Sequence, residues 1–320
     1  MKTIIVTGGA GFIGSHTIEA LLQDGAVSRV VCIDNFDDNY DPALKRENIA
    51  LFSSDSRFKL YEADIRDAEK MREIFLQEKP DAVIHLAAKA DARHAVEEPS
   101  EYVSTNVDGT LNLLEAARAA GTKKFVFASS SSVYGNKNTA PFKEDAQTDF
   151  PISPYGATKK AGEVLAYSYF HNFGMDITCI RIFNAYGERM RPGLVLYKWI
   201  DDILHERTVE MSGEGTRMRD FTYVGDTVHA LILAVQKQVG FEVLNVGSAD
   251  PISLKDLLAV AEKATGKKAQ VVSRESAKAS VEMTHADVTK AKNILGWEPL
   301  VSIEEGVKRL TEWFVRERLK

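Results

Sequence analysis

An apolar, β-branched run, Thr3–Thr7, passes without a break into Gly8-Gly9-Ala10-Gly11-Phe12-Ile13-Gly14, and the amphipathic stretch Phe12–Gln23 follows at once. Glycines between a buried strand and a helix permit a tight turn and a close backbone approach. The first helical N–H groups are left pointing outward with a partial positive charge. A glycine triplet alone marks any tight turn. Here Asp34 closes the next strand-like run, Arg29–Ile33, where a carboxylate accepts the hydroxyls of an adenosine ribose. Strand, glycines, helix and carboxylate together predict a dinucleotide site through Gly8, Gly11, Phe12, Ile13, Gly14, Asp34 and Asn35. Asp37 and Asp38 follow, with no arginine among residues 35–38, so a 2′-phosphate would meet carboxylates and NAD is favoured over NADP. The acidic set Asp37, Asp38, Asp41 lacks calcium-loop spacing and reads as a solvated loop, so no metal is expected.

The same strand–helix rhythm continues. Strand-like runs are Phe58–Tyr61, Ala82–Leu86, Lys124–Ser129 and Ile177–Phe183; helical patterns fall at Asp67–Gln77, Ser100–Ala120 and Tyr155–Phe173. Buried strands alternating with helices predict an α/β fold, a Rossmann-type doubly wound parallel sheet. Right-handed crossovers then bring the carboxyl ends of all strands to one edge. There Asp64 and Ile65 would face adenine, and Leu86, Ala87, Ala88 and Lys89 would line the cofactor. His85 lies inside an apolar run and reads as a structural histidine. Beyond Phe183 the rhythm loosens, which predicts a smaller substrate-binding part. The expected division is 1–183 for the cofactor, rejoined by about 221–247 through the helix Asp226–Gln236 and the strand Glu242–Val246, with 184–220 and 248–320 for the substrate. A net charge of −6 without basic blocks argues against nucleic-acid or membrane-surface binding. Two cysteines in apolar runs, no run long enough to span a bilayer and no secretory signal fit a cytosolic protein.

Tyr155-Gly156-Ala157-Thr158-Lys159 sets a phenol and an ammonium at i and i+4, on one helix face. A tyrosine becomes a useful base near neutrality only if its pKa of about 10 falls by ~3 units, which takes ~4 kcal/mol of differential stabilisation. A lysine and a cationic nicotinamide ring nearby can supply it. By itself Tyr-x-x-x-Lys is an ordinary surface pair. Upstream, Ser129-Ser130-Ser131-Ser132-Val133-Tyr134-Gly135 brings hydroxyls to the same edge, where Ser130 could hydrogen-bond a substrate hydroxyl.

Taken together, Thr7–Gly14, His85–Ala88, Ser129–Gly135, Tyr155–Lys159, Arg181–Asn184, Arg219–Val224 and Leu295-Gly296-Trp297 resemble the extended short-chain dehydrogenase/reductases, specifically the nucleotide-sugar epimerases and dehydratases. The resemblance covers essentially the whole chain. It implies Tyr155 as base, Lys159 bridging tyrosine and nicotinamide ribose, and Ser130 assisting at the substrate. It also implies Asn106 as support for the cofactor site with Ser129, Phe183 beside the nicotinamide and Arg219 on the nucleotide diphosphate. Family dehydratases carry an acidic residue just before Val-Tyr-Gly; Ser131 and Ser132 stand here, which favours C4 epimerisation of a UDP-sugar. Arg191-Pro192 and the serine run resemble UDP-glucuronate 4-epimerases, with Ser131, Ser132 and Arg191 as carboxylate partners. Asn184 instead matches the UDP-glucose/galactose branch, and Gly193 stands where the uronate pattern has Asp. Glucuronate is placed first. A nucleotide-sugar dehydratase or reductase, and a non-catalytic NAD-sensing protein, are the alternatives. Apolar stripes on Ser100–Ala120 (Val103, Val107, Leu111, Leu114) and Tyr155–Phe173 (Val164, Leu165, Phe170) fit core packing; the resemblance implies a homodimer through these two helices.

Overall fold

The computed structural model describes residues 2–275 and 281–319. Seven strands form the central sheet: β1 (Lys2–Thr7), β2 (Val27–Asp34), β3 (Phe58–Glu62), β4 (Ala82–His85), β5 (Lys124–Ser130), β6 (Asp176–Ile182) and β7 (Phe241–Val246). Their order is β7-β6-β5-β4-β1-β2-β3, and every pairing is parallel. The strands are apolar on both faces because helices cover both. On one side α1 (Phe12–Gln23) packs with Ile4, Val30, Ala230 and Leu231. On the other, Ile5, Val31 and Val83 meet Ile74 and Phe75 of the helix Ala68–Glu78. The order reverses between β1 and β4, and ligands bind at such a switch point.

The expected helix Ser100–Ala120 is interrupted. Residues Pro99–Val103 and Gly109–Ala120 are α-helical, but Ser104–Asp108 is a π turn. Such turns rotate a helix locally and occur often at functional sites. This one turns Asn106 inward. Within the expected return at 221–247, Thr222–Tyr223 pairs with Ala185–Tyr186 outside the main sheet, while Phe241–Val246 adds the edge strand beside β6.

Helix α2 (Pro154–Phe173) carries the expected catalytic pair. Ser153 caps it by accepting the Gly156 N–H at 3.1 Å, Pro154 opens the first turn, and Gly174 ends it in the left-handed conformation. Two of its glycines sit where a side chain would collide. A Cβ at Gly162 would lie 2.3 Å from the Phe127 ring, and one at Gly156 2.5 Å from the Ser132 carbonyl oxygen. The helix therefore rests directly on β5 and the turn that follows it.

A second core lies beyond the sheet edge. Trp199, Ile200, Leu257, Leu310 and Phe314, from the helices Val195–Leu204, Leu254–Thr265 and Ile303–Arg318, meet Phe12 and Tyr223. No helix among the described residues is long and apolar enough to cross a membrane.

Candidate active site

A cavity of about 570 Å³ opens along the carboxyl ends of the strands. Gly8, Gly11, Phe12, Ile13 and Gly14 form its floor. The glycines are sterically required: a Cβ at Gly14 would stand 2.1 Å from the Gly8 oxygen, and one at Gly8 2.7 Å from the Ala87 nitrogen. No side chain caps α1, and Gly11, Phe12, Ile13 and Gly14 at its start line the cavity, an arrangement suited to a pyrophosphate. Asp34, Asn35, Asp64, Ile65, Leu86, Ala87, Ala88 and Lys89 all line the same space. The residues present thus fit a dinucleotide.

The Asp34 carboxylate is almost buried. It accepts the Ala10 N–H at 3.0 Å and the Phe36 N–H at 2.9 Å, and burial raises its pKa above the ordinary carboxylate range. Asp64 pairs with Arg66 at 2.7 Å and accepts the Asn35 amide at 3.0 Å; chiefly the Arg66 bond holds its pKa near 2. The loop after β2 is not simply solvated. Asp41 caps the helix Pro42–Ala50, while Asp37 pairs with Lys45 and, at 3.4 Å, with Lys89. Nor is the cavity wall here purely acidic: Lys45, Arg66 and Lys89 line it. They arrive from three separate segments, so reading residues 34–38 alone misses them.

Ser130, Ser131, Ser132, Tyr155, Lys159, Asn184 and Arg191 line the same cavity. Burial raises the Tyr155 pKa, while the Ser130 hydroxyl beside the phenol and the Arg191 guanidinium pull it back. Lys159 is buried and donates to the Ala128 carbonyl at 2.7 Å; desolvation pushes its pKa down to about 7. Arg191 donates to the Ala90 carbonyl at 2.6 Å. Its loop is tied to α1 by Arg189, whose guanidinium reaches Glu19 and, at 2.7 Å, the His16 ring. His16 in turn donates to the Glu188 carbonyl at 2.8 Å; burial and Arg189 lower its pKa to about 3 and keep it neutral. Nothing in the local pattern around His16 marks this role, because its partners lie about 170 residues away.

Several expected residues act from behind the wall. Asn106 does not line the cavity. Its amide grips the Lys89 backbone at 2.9 and 3.0 Å and donates to Thr158 of α2 at 3.0 Å. Ser129 lines the cavity, but its hydroxyl donates to Glu163 at 2.7 Å. Phe183 is fully buried with Tyr134 and Phe142, away from the cavity lining, because it follows β6 into an aromatic cluster. Arg219 also stands outside the lining, donating to the carbonyls of Met218, Val281 and Glu282; burial and Arg217 lower its pKa to about 10. The Asn184 amide donates to Asp220 O at 2.9 Å and Thr284 at 3.2 Å, so its nitrogen is engaged in structure. His85 accepts from Thr7 at 2.8 Å and donates to Thr110 at 2.9 Å, joining β1, β4 and the helix Gly109–Ala120.

The ionisation of Lys159 has a measurable sign. Its folded pKa lies below the usual lysine value of 10.5, so holding the charge costs stability in full below about pH 7; the cost fades as pH rises towards 10.5. Lys159→Met should therefore raise the melting temperature of the cofactor-free chain at pH 6. Thermal scans from pH 6 to 10 should show that advantage shrinking steadily; a pH-independent difference would contradict the assignment.

The family model described as GDP-mannose 4,6 dehydratase matches residues 5–310. A UDP-glucuronate 4-epimerase of Thermodesulfobacterium geofontis is 42% identical over 314 residues, covering 98% of this chain and 96% of that protein. The crystal structure of a UDP-glucuronic acid 4-epimerase from Bacillus cereus, in complex with UDP-glucuronic acid and NAD, superposes with a TM-score of 0.92 at 35% identity, covering 98% and 99% of the two chains. A UDP-glucose 4-epimerase from Thermotoga maritima with UDP-glucose gives 0.91 at 36% identity, covering 99% and 100%. The family match over residues 5–310 and a relative 42% identical along nearly the whole of both chains show that the chain belongs to the GDP-mannose 4,6 dehydratase family of short-chain dehydrogenase/reductase proteins.

Proposed function

We propose that this protein is an NAD-dependent UDP-sugar 4-epimerase, acting on UDP-glucuronate and UDP-galacturonate. One observation carries the reaction type: Tyr155, Ser130, Ser131 and Ser132 line one wall of a cavity whose floor is the glycine turn. Serines stand where family dehydratases carry an acid. Bound NAD supplies the acceptor and donor of the C4 hydride. Tyr155 takes the C4 hydroxyl proton as a phenolate and returns it when the ketone is reduced on its other face, so no proton or cofactor is consumed overall. Ser130 hydrogen-bonds the reacting oxygen and favours the phenolate. Lys159, held by the Ala128 carbonyl, anchors the cofactor and adds positive charge on loading. Residues 1–183 with 221–247 serve the cofactor, and 184–220 with 248–320 the substrate.

The uronate assignment rests on Arg191, which reaches the cavity close enough to Tyr155 to favour its anion. A carboxylate entering there needs such a partner, since burying it unpaired is costly. The relatives named above support both branches. Asn184 favours UDP-glucose, but its engaged nitrogen weakens that argument.

A second copy of the chain is part of the same reading. Val103, Leu111, Val164, Tyr167 and Phe173 are exposed on the two neighbouring helical segments, an apolar face suited to a symmetric dimer. A cytosolic setting accords with the free thiols Cys32 and Cys179.

Tyr155→Phe should retain NAD while turnover falls at least ~10²-fold; activity within a few-fold of the parent would remove Tyr155 as base. Arg191→Ala should lower kcat/KM for UDP-glucuronate by ~10- to 150-fold, with a smaller effect on UDP-glucose. A parent that turns over only neutral hexoses would leave the epimerase and overturn the uronate. Light scattering should give twice the chain mass for the parent and the monomer mass for Val164→Glu.

A further inference from the structure

The ribose end of the cavity holds more cations than the sequence around Asp34 suggests. Lys45 is buried against Asp37: its ammonium donates to the Asp37 carboxylate and, at 2.8 Å, to the Asp37 carbonyl. Lys89 reaches the other carboxylate oxygen of Asp37 at 3.4 Å and Glu101 at 3.3 Å. Arg66 is taken by Asp64. Asp37 thus serves two ammonium groups from separate segments, and Lys45 also lies near Asp34. Asp34 itself already accepts two backbone N–H groups.

These pairings bear on how a 2′-phosphate is refused. A phosphate dianion is held by cations, and bidentate or paired contacts are the strong ones. Two lysines line the wall where the ribose lies in the NAD reading above, on which this argument rests. Without a carboxylate between them they would make a phosphate subsite. We propose that Asp37 sets the preference for NAD: it occupies Lys45 and Lys89, the two cations that would otherwise receive a 2′-phosphate. The discrimination is then a competition for lysines and not only repulsion by Asp34.

The test uses the full chain, stripped of cofactor, with NAD+ and NADP+ as probes. Titration calorimetry on the parent, Asp37→Asn and Asp37→Ser gives the ratio of the two dissociation constants. The ratio should move towards NADP+ by about 10- to 150-fold in the variants, the span of one charge-assisted bond. Asn keeps the shape of the side chain and Lys45 keeps its bond to the residue-37 carbonyl, so the fold has a second route to survive. Melting temperatures give an independent reading, since at equal concentration the ligand with the lower dissociation constant stabilises the folded chain more. NAD+ should protect the parent more than equimolar NADP+, and that margin should shrink in the variants. Adding Lys45→Gln to Asp37→Ser should erase the gain. An unchanged ratio in both folded variants overturns the proposal and leaves discrimination with Asp34. A parent that binds neither dinucleotide overturns the cofactor reading, and this one with it.

Discussion

Glu163 and Arg181 form a bidentate pair in the interior, at 2.8 and 2.9 Å, each side chain about 3% exposed. Removing one partner of such a pair leaves an uncompensated charge in a low-dielectric interior. Arg181 also reaches the Tyr134 hydroxyl at 2.9 Å, and Tyr134 donates to Asn245 of β7 at 2.7 Å. Asn245 continues to the carbonyls of Phe142 and Asp287. One connected set of hydrogen bonds therefore fixes α2, β5, β6, β7 and two surface segments relative to one another.

Tyr155, Lys159 and Glu163 are spaced by four on α2. The stripe that ends in the anchored carboxylate is the stripe that begins with the phenol. Gly156 and Gly162 let this face lie flat on β5. Ionisation follows from the same packing: burial keeps Tyr155 neutral and relaxes the hold of Lys159 on its proton in the empty chain. The charge that makes the phenol a base must then come with the ligands. In this way the fold ties acid–base competence to a loaded cavity.

Much of this was legible in the chain itself. The strand–helix alternation fixes the sheet because period and length leave few alternatives, and the glycine turn is local in sequence. Tyr155 and Lys159 were readable because four residues make one helical turn. What escaped depends on distant segments. Lys45 and Arg66 join the expected Lys89 at the cavity wall only after β2, β3 and β4 are aligned. Arg219 and Phe183 carry familiar patterns, but their side chains turn to carbonyls and to an aromatic cluster. His16 and Arg189 gain meaning only when a loop folds back over α1. The break at Ser104–Asp108 was hidden because its residues keep a helical apolar rhythm.

That break sets a phase. An α-helix advances 100° per residue, and a π turn absorbs one residue more than an α turn. Before it lies Tyr102, which packs edge-on to Tyr155, and within it lies Asn106, which grips the Lys89 backbone. After it lie Leu113, Leu114 and Ala117, which pack under the sheet. Two functions share one rod, and each needs a different face inward. Deleting a single residue between 104 and 108 would close the wide turn to an ordinary α turn and leave the two flanking halves facing as they do. What would be lost is the inward turn of Asn106 and its hold on the Lys89 backbone, so the extra residue serves the active-site support while the core half would pack as before.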